Sequence, residues 1–229
     1  MKKIFLLLAL SAGLSFVANA QNKSVTFGAK AGLTFPKLAT SGEEAAEFPD
    51  PQANPSFFVG GFADIAISSQ FSIQPGLTVL GKGVKYKESG TEIIDGDSYT
   101  YSGSATVSTL YLEVPVNIVG RISAGSGNVF VGAGPYLGYA LSGKTKSKVS
   151  VSGGGMSFSD SSEEDMEFGS GEDEMKRIEF GVNFLGGYEL KNGLSVNFGY
   201  GLGLSNLVNT SGDGKASNRV ISVGLGFRF

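Results

Sequence analysis

The chain has 229 residues and a formal net charge of −3, which fits a single domain and argues against a nucleic-acid partner. It contains no cysteine and no histidine, so disulfides and most nucleophile and metal chemistry are excluded. Its 35 glycines are about twice the common usage of roughly 7%, and many lie inside alternating segments, where a water-soluble strand would avoid them.

The first twenty residues predict a cleaved signal peptide. Lys2 and Lys3 precede an apolar run over residues 4–14, and Ala18 and Ala20 are small residues of the kind that a signal peptidase recognises. We therefore expect residues 1–20 to be the signal peptide and residues 21–229 to form the exported domain. No later apolar run approaches the roughly 20 residues of a spanning helix, so any membrane insertion has to be by strands.

Eight later segments alternate large apolar residues with small or polar ones, the period-two pattern of a strand with two different faces. In chain order they are residues 25–35, 56–68, 71–79 with a polar extension through 87, 106–120, 128–142, 177–190, 194–205 and 219–229. Pro75, Pro115 and Pro135 interrupt three of these segments, and each removes a backbone donor. We interpret the prolines as bulge or bend sites within strands.

The connections between these segments alternate in length. Short links at 68–70, 121–127 and 191–193 alternate with long, polar ones at 36–55, 88–105, 143–176 and 206–218. This layout is typical of outer-membrane barrels. It predicts an all-β fold, an eight-stranded antiparallel up-and-down transmembrane β-barrel with short periplasmic turns and four long extracellular loops.

The composition of the two faces favours a barrel in lipid over a soluble, lipocalin-like ligand carrier, which also has eight antiparallel strands. The minor face is mostly Gly, Ser and Asn, too small and too weakly charged for a water-facing surface, but suited to the narrow interior of an eight-stranded barrel. Aromatic residues gather near both edges of the apolar face, as in membrane-interface girdles. We expect isolated charges of the minor face to pair inside the lumen: Lys30, Asp64, Glu113, Glu179, Glu189 and Arg228.

Several motifs of the later strands resemble those of the outer-membrane β-barrel family common in Bacteroidota, the PorT-like group. They are residues 111–117 (YLEVPVN), 132–136 (GAGPY), 180–184 (FGVNF), 199–206 (GYGLGLSN) and 218–229 (NRVISVGLGFRF). The resemblance implies location in the cell outer membrane of a Gram-negative type of envelope. It also implies insertion by the barrel-assembly machinery through the strand that ends at Phe229. Some members of the group are tied to protein secretion.

We find no residues that predict catalysis, a cofactor site or a metal site, and we expect the protein not to be an enzyme. Glu113 and Glu179 could form a carboxylate pair, but lumen salt bridges explain them better. The glycine-rich run 199–203 has no following helix, so it is not a dinucleotide motif, and residues 212–215 are interpreted as a turn.

An acidic cluster in the link 143–176 leaves two interpretations open. Its members are Asp160, Glu163, Glu164, Asp165, Glu167, Glu172, Asp173 and Glu174. The cluster lacks the ligand order of an EF-hand, which favours a solvated surface loop. A hairpin that pairs the cluster with Lys144, Lys146 and Lys148 is also plausible, as is bridging of lipopolysaccharide by divalent ions.

The sequence therefore predicts an integral outer-membrane barrel with a plugged, polar lumen. Its role would be structural or adhesive, or it would belong to an envelope assembly, such as one for secretion. The expected partners are outer-membrane lipid, lipopolysaccharide, the assembly machinery and envelope proteins. The alternatives are a pore for small solutes and a soluble ligand carrier.

Overall fold

The computed structural model describes residues 25–41, 50–171, 174–209 and 214–229, which form nine antiparallel strands. The strands are β1 Val25–Ser41, β2 Ser56–Ala66, β3 Phe71–Ile94, β4 Asp97–Ala124, β5 Gly127–Gly153, β6 Met156–Asp165, β7 Ile178–Leu190, β8 Leu194–Gly203 and β9 Lys215–Arg228. No helix in these ranges has the length and apolarity needed to cross a membrane. The predicted signal peptide, residues 1–20, lies outside the described residues.

Eight of the strands described close into a ring. Each pairs with the next in the order β1, β2, β3, β4, β5, β7, β8 and β9, and β9 pairs back with β1. Closure gives every strand two hydrogen-bonded neighbours, as a spanning sheet in lipid requires. The prediction of an eight-stranded antiparallel barrel is confirmed. β6 lies outside the ring and pairs with the far half of β5.

The apolar side chains of the ring face outward. Phe71, Ile118 and Phe198 are 52%, 59% and 60% exposed, and they alternate with buried polar side chains such as Ser72 and Asn117. This is the reverse of a water-soluble barrel, in which the large apolar side chains would fill the interior. The predicted orientation of the two faces is therefore confirmed, and the outer wall is built for contact with acyl chains.

The connections at one end of the barrel are short, as predicted, but two of the long connections are strands rather than loops. Asp95 and Gly96 close β3 onto β4, and Gly154 and Gly155 close β5 onto β6. All four turn residues have positive φ, which the two-residue hairpin turn requires. Of the other two links, residues 42–49 and 210–213 lie outside the described part of the chain, and with them half of the predicted turn at 212–215.

The strands run through all three prolines without a change of register. Pro75 lies opposite Val116, Pro115 opposite Tyr136 and Pro135 opposite Val182, and the pairing before and after each proline has the same offset. Of the two predictions for the prolines, a bulge or a bend, the bulge is therefore wrong. The register shift recorded between β4 and β5 lies at Leu110/Tyr111 instead, where β5 contributes an extra residue.

Candidate functional site

A buried lysine occupies the centre of the lumen. The Lys82 Nζ on β3 lies 3.1 Å from Glu179 Oε1 on β7 and 3.8 Å from Glu113 Oε2 on β4. The same ammonium stands 4.7 Å from the ring centroid of Tyr111 and 4.8 Å from that of Tyr136. Two carboxylates and two aromatic faces therefore compensate one cation that is removed from water.

The Glu179 carboxylate is held from three sides. Besides Lys82, the Tyr136 hydroxyl donates to Glu179 Oε1 at 2.6 Å, and Asn218 Nδ2 donates to Oε2 at 2.8 Å. Glu179 has no solvent exposure. The network joins β3, β5, β7 and β9 across the interior, and hydrogen bonds to a buried charge are what make such burial tolerable.

Two further ion pairs lie nearer the short-turn end. Arg121 binds the Asp64 carboxylate, which also accepts a hydrogen bond of 2.7 Å from Gln74. Arg228 donates to both carboxylate oxygens of Glu189, with distances of 3.2 and 2.5 Å. Opposite charges thus pair at three places in the lumen.

Between these pairs lies a cavity of about 120 Å³ lined by both polar and apolar side chains. Within the described ranges, Thr78 Oγ1, Glu113 Oε1 and Asn117 Oδ1 are buried without a hydrogen-bond partner, and all three residues line the cavity. Buried polar atoms of this kind are ordinarily satisfied by water.

An apolar cluster is also buried inside the barrel; its members are Phe58, Leu80, Tyr111 and Ala140.

The charged residues expected in the lumen do point into it, but most of them do not pair with one another as expected. Glu189 and Arg228 pair with each other, whereas Asp64 pairs with Arg121, and Glu113 and Glu179 pair with Lys82. Lys30 also lines the cavity and forms no ion pair with any described residue. Sequence reasoning missed Lys82 and Arg121, although each lies at one of the alternate positions of its strand that face the lumen.

A second candidate site is the sheet that rises from the open ends of β3, β4 and β5, with β6 as its outer edge. We call this the protruding sheet, formed by residues 85–94, 97–106, 144–153 and 156–165. Directly paired residues share a face, so the register defines two faces. One face continues the lipid-facing wall of the barrel. It carries the even-numbered residues of β4, and Val114 and Val116, which are exposed on the wall, are even-numbered residues of the same strand. We call it the outer face.

The two faces differ in chemistry. The outer face holds rows of hydroxyls, such as Ser89, Ser102, Ser150 and Ser159, which lie opposite one another across four strands. The opposite face, which we call the inner face, carries apolar and aromatic residues that are exposed or half-buried. They are Tyr99, Tyr101, Val149, Val151, Met156 and Phe158.

The acidic run and the lysine run of this region pair as a hairpin, the alternative that the sequence left open, and not as the surface loop that it favoured. Glu163 accepts from Lys144 at 2.6 Å and lies 2.7 Å from the ammonium of Lys146, and Asp165 lies 3.9 Å from Lys144. The hydrogen bonds from Lys144 and Lys146 lower the pKa of Glu163 to about 2. The described residues contain no cluster of acidic side chains that could hold a metal ion, and Glu172 and Asp173 lie outside them.

A family model and several solved structures are similar to this chain. The family model described as "Outer membrane protein beta-barrel domain" matches residues 19–209. Among solved structures, the chain is similar to Ail, the attachment invasion locus protein of Yersinia pestis, with 15% identity, 89% of this chain and 98% of that chain covered, and a TM-score of 0.36. It is also similar to Neisserial surface protein A, with 14% identity, coverage of 90% and 99%, and a TM-score of 0.37. A search of curated proteins found no match.

Proposed function

We propose that this chain, which belongs to the outer membrane protein β-barrel domain family, is a non-enzymatic surface protein. It would bind other proteins through its protruding sheet. The barrel would hold the sheet in the outer membrane with its lumen plugged. Such a protein would act in adhesion or as part of an envelope assembly. The resemblance to the PorT-like group leaves secretion among the processes that such an assembly would serve.

The observation that carries the proposal is the open edge of β6. All ten residues of β6 are exposed, and this strand pairs only with β5 within the described chain. An unpaired edge presents a row of free N–H and C=O groups to which another extended chain can add. β6 contains no proline and no lysine, two residues that commonly protect such edges.

The side chains next to this edge indicate the chemistry of the partner. Phe158 and Met156 on the inner face are 61% and 70% exposed, so apolar side chains of an added strand would find contacts there. On the outer face the far half of β6 is acidic, with Glu163 and Asp165. We therefore propose an extended partner segment in which apolar residues alternate with basic ones.

Binding of a designed peptide tests this proposal. We expect a short peptide of alternating lysine and valine to bind the detergent-solubilised barrel about tenfold more tightly than an isomer with the lysines and valines in separate blocks. Phe158→Glu should abolish this difference, because it places a charge on the inner face at the edge, opposite the valines. Ser157→Glu adds the same charge on the outer face, opposite the lysines, and should preserve it. Equal binding of the two peptides, or equal loss in both variants, would refute the proposal.

A pore for small solutes is the second candidate, and the cavity in the lumen favours it. Passage would require Lys82 and Tyr111, both fully buried, to move aside. Eight strands leave an interior just wide enough for side chains, which favours the plug. Single-channel recordings in planar bilayers separate the two: the plugged barrel should give no steady openings, whereas stable, reproducible conductance would establish the pore.

A further inference from the structure

Five lysines stand on the outer face of the protruding sheet. Lys85 and Lys87 lie on β3, and Lys144, Lys146 and Lys148 lie on β5. The register places Thr106 between Lys85 and Lys146, and Ser104 between Lys87 and Lys148. Because directly opposed residues share a face, all of these side chains project to the same side.

Four of these lysines form the corners of a rectangle with hydroxyls between them. β3 and β5 are separated by two strand spacings, about 10 Å, and residues two apart along a strand are about 7 Å apart. The corners are Lys85, Lys87, Lys146 and Lys148, and we call this arrangement the lysine frame. Ser104 and Thr106 occupy its middle line on β4. The long, flexible lysine side chains can therefore converge on one anion above the two hydroxyls.

Acidic side chains neutralise only part of this positive charge. Glu163 and Asp165, at the edge of the same face, engage Lys144 and Lys146. Lys85, Lys87 and Lys148 form no ion pair with any residue whose structure is described. The other carboxylates of this sheet that flank the frame lie on the inner face: Glu88, Glu92, Asp160 and Glu164. The outer face is therefore basic, although the whole chain carries a net charge of −3.

The frame lies just beyond the apolar wall of the barrel. Tyr139 and Leu141 on β5 are 46% and 43% exposed on that wall, and Lys144 follows three residues after Leu141. On β4, Thr106 lies four residues before Leu110 on the same side of the strand. Charged headgroups of the outer leaflet begin at this height, because the frame continues the wall that contacts acyl chains.

We propose that the lysine frame is a binding site for the phosphate groups of the anionic glycolipid of the outer leaflet, lipopolysaccharide. Ammonium groups bind phosphate through charge-assisted hydrogen bonds, and Ser104 and Thr106 supply neutral donors. The frame requires the barrel to lie in the outer membrane but does not depend on protein binding at β6. Because the lysines bind the lipid on the outer face, the inner face and the β6 edge remain accessible.

Binding of purified lipopolysaccharide to the detergent-solubilised barrel tests the site. Lys87→Gln combined with Lys148→Gln removes two of the unpaired charges and should weaken binding by about tenfold or more. The matched control, Lys191→Gln with Lys215→Gln, removes the same charge from a turn at the opposite end of the barrel and from β9, and binding should be unchanged. The heat-dependent gel shift of folded barrels confirms that each variant is folded.

Two further ligands identify what the frame recognises. Dephosphorylated lipopolysaccharide should bind the wild type no more tightly than the phosphorylated form binds the double variant. Inorganic phosphate should compete only weakly, because it lacks the acyl chains that anchor the headgroup beside the frame. Equal affinity of wild type and double variant for phosphorylated lipopolysaccharide would overturn the proposal, as would inorganic phosphate binding as tightly as the lipid. The alternating peptide should bind the double variant and the wild type alike, so failure here is distinct from failure of the proposed function.

Discussion

Lys82 and Glu179 form an ion pair of 3.1 Å across the lumen, with side chains that are 1% and 0% exposed. The two residues are 97 positions apart in the chain, on strands that are not neighbours in the ring. Their contact therefore links two distant strands across the interior of the barrel. Removing one partner of a buried pair leaves the other charge uncompensated in a medium of low polarity.

Lys82→Met should destabilise the barrel by about 3–5 kcal/mol. The substitution keeps the length of the side chain but leaves Glu113 and Glu179 facing each other without the cation between them. Urea unfolding in detergent or lipid, followed by tryptic digestion or gel shift, measures the loss. Lys191→Met, in an exposed turn, is the control and should change the free energy of unfolding by less than about 0.5 kcal/mol. Similar effects of the two variants would contradict the role given to Lys82.

Gly187 and Gly186 are adjacent glycines that should respond oppositely to an added side chain. A Cβ at Gly187 would overlap the carbonyl oxygen of Val196 and lie 2.6 Å from the Phe130 ring, inside the lumen. A Cβ at Gly186 would meet nothing closer than 3.4 Å. Gly187→Val should therefore prevent formation of the compact barrel, whereas Gly186→Val should fold. The gel mobility of unheated protein distinguishes them, and a folded Gly187→Val variant would show that the lumen is looser than described.

Because the apolar face of the barrel contacts lipid, the stability cost of an exposed arginine should depend strongly on whether it lies in the membrane or above it. Phe198 on β8 is 60% exposed in the lipid-facing wall, whereas Ile93 is 77% exposed on the protruding sheet. Phe198→Arg should cost up to about 2–4 kcal/mol, depending on its depth in the bilayer. Ile93→Arg should cost close to nothing, because its surroundings are water in the folded and unfolded states. Unfolding in lipid vesicles measures both, and equal costs would contradict this orientation.

The hairpin between β5 and β6 should weaken in acid. Hydrogen bonds from Lys144 and Lys146 depress the pKa of Glu163 from 4.5 to about 2 in the folded state. The contribution of Glu163 is therefore fully present above pH 4.5 and is lost as the pH falls from there toward 2. NMR titration of the Glu163 carboxyl measures the pKa directly.

Two substitutions test whether the hydrogen bonds to Glu163, and not merely nearby positive charge, lower its pKa. Lys144→Gln removes the hydrogen bond that contributes most and should return the pKa of Glu163 toward 4.5. Lys148→Gln removes a neighbouring positive charge with no hydrogen bond to Glu163, and it should leave the pKa close to about 2. A Glu163 carboxyl that titrates near 4.5 in the wild type would show that the hairpin pairs differently.

The protruding sheet illustrates why part of the structure was not predicted from the sequence. Residues 97–105 and 143–153 consist largely of Ser, Thr, Gly and Lys and have few large apolar side chains, and a loop was the expectation. Their strand structure comes from pairing with β3 and β6, which extends the barrel's own ladder beyond the membrane. Two-residue turns at 95–96 and 154–155 make this possible, and both contain glycine.

The sequence by itself determined the barrel, because alternation with a period of two assigns every large apolar residue to one face, and only lipid can accommodate such a face on a closed ring. It also determined which carboxylates enter the lumen. Only the tertiary structure decided their partners, since Lys82 and Arg121 meet strands far away in the chain. The lysine frame likewise exists only through register: its lysines belong to two strands separated by a third, and a shift of one residue would turn each strand's pair to the other face.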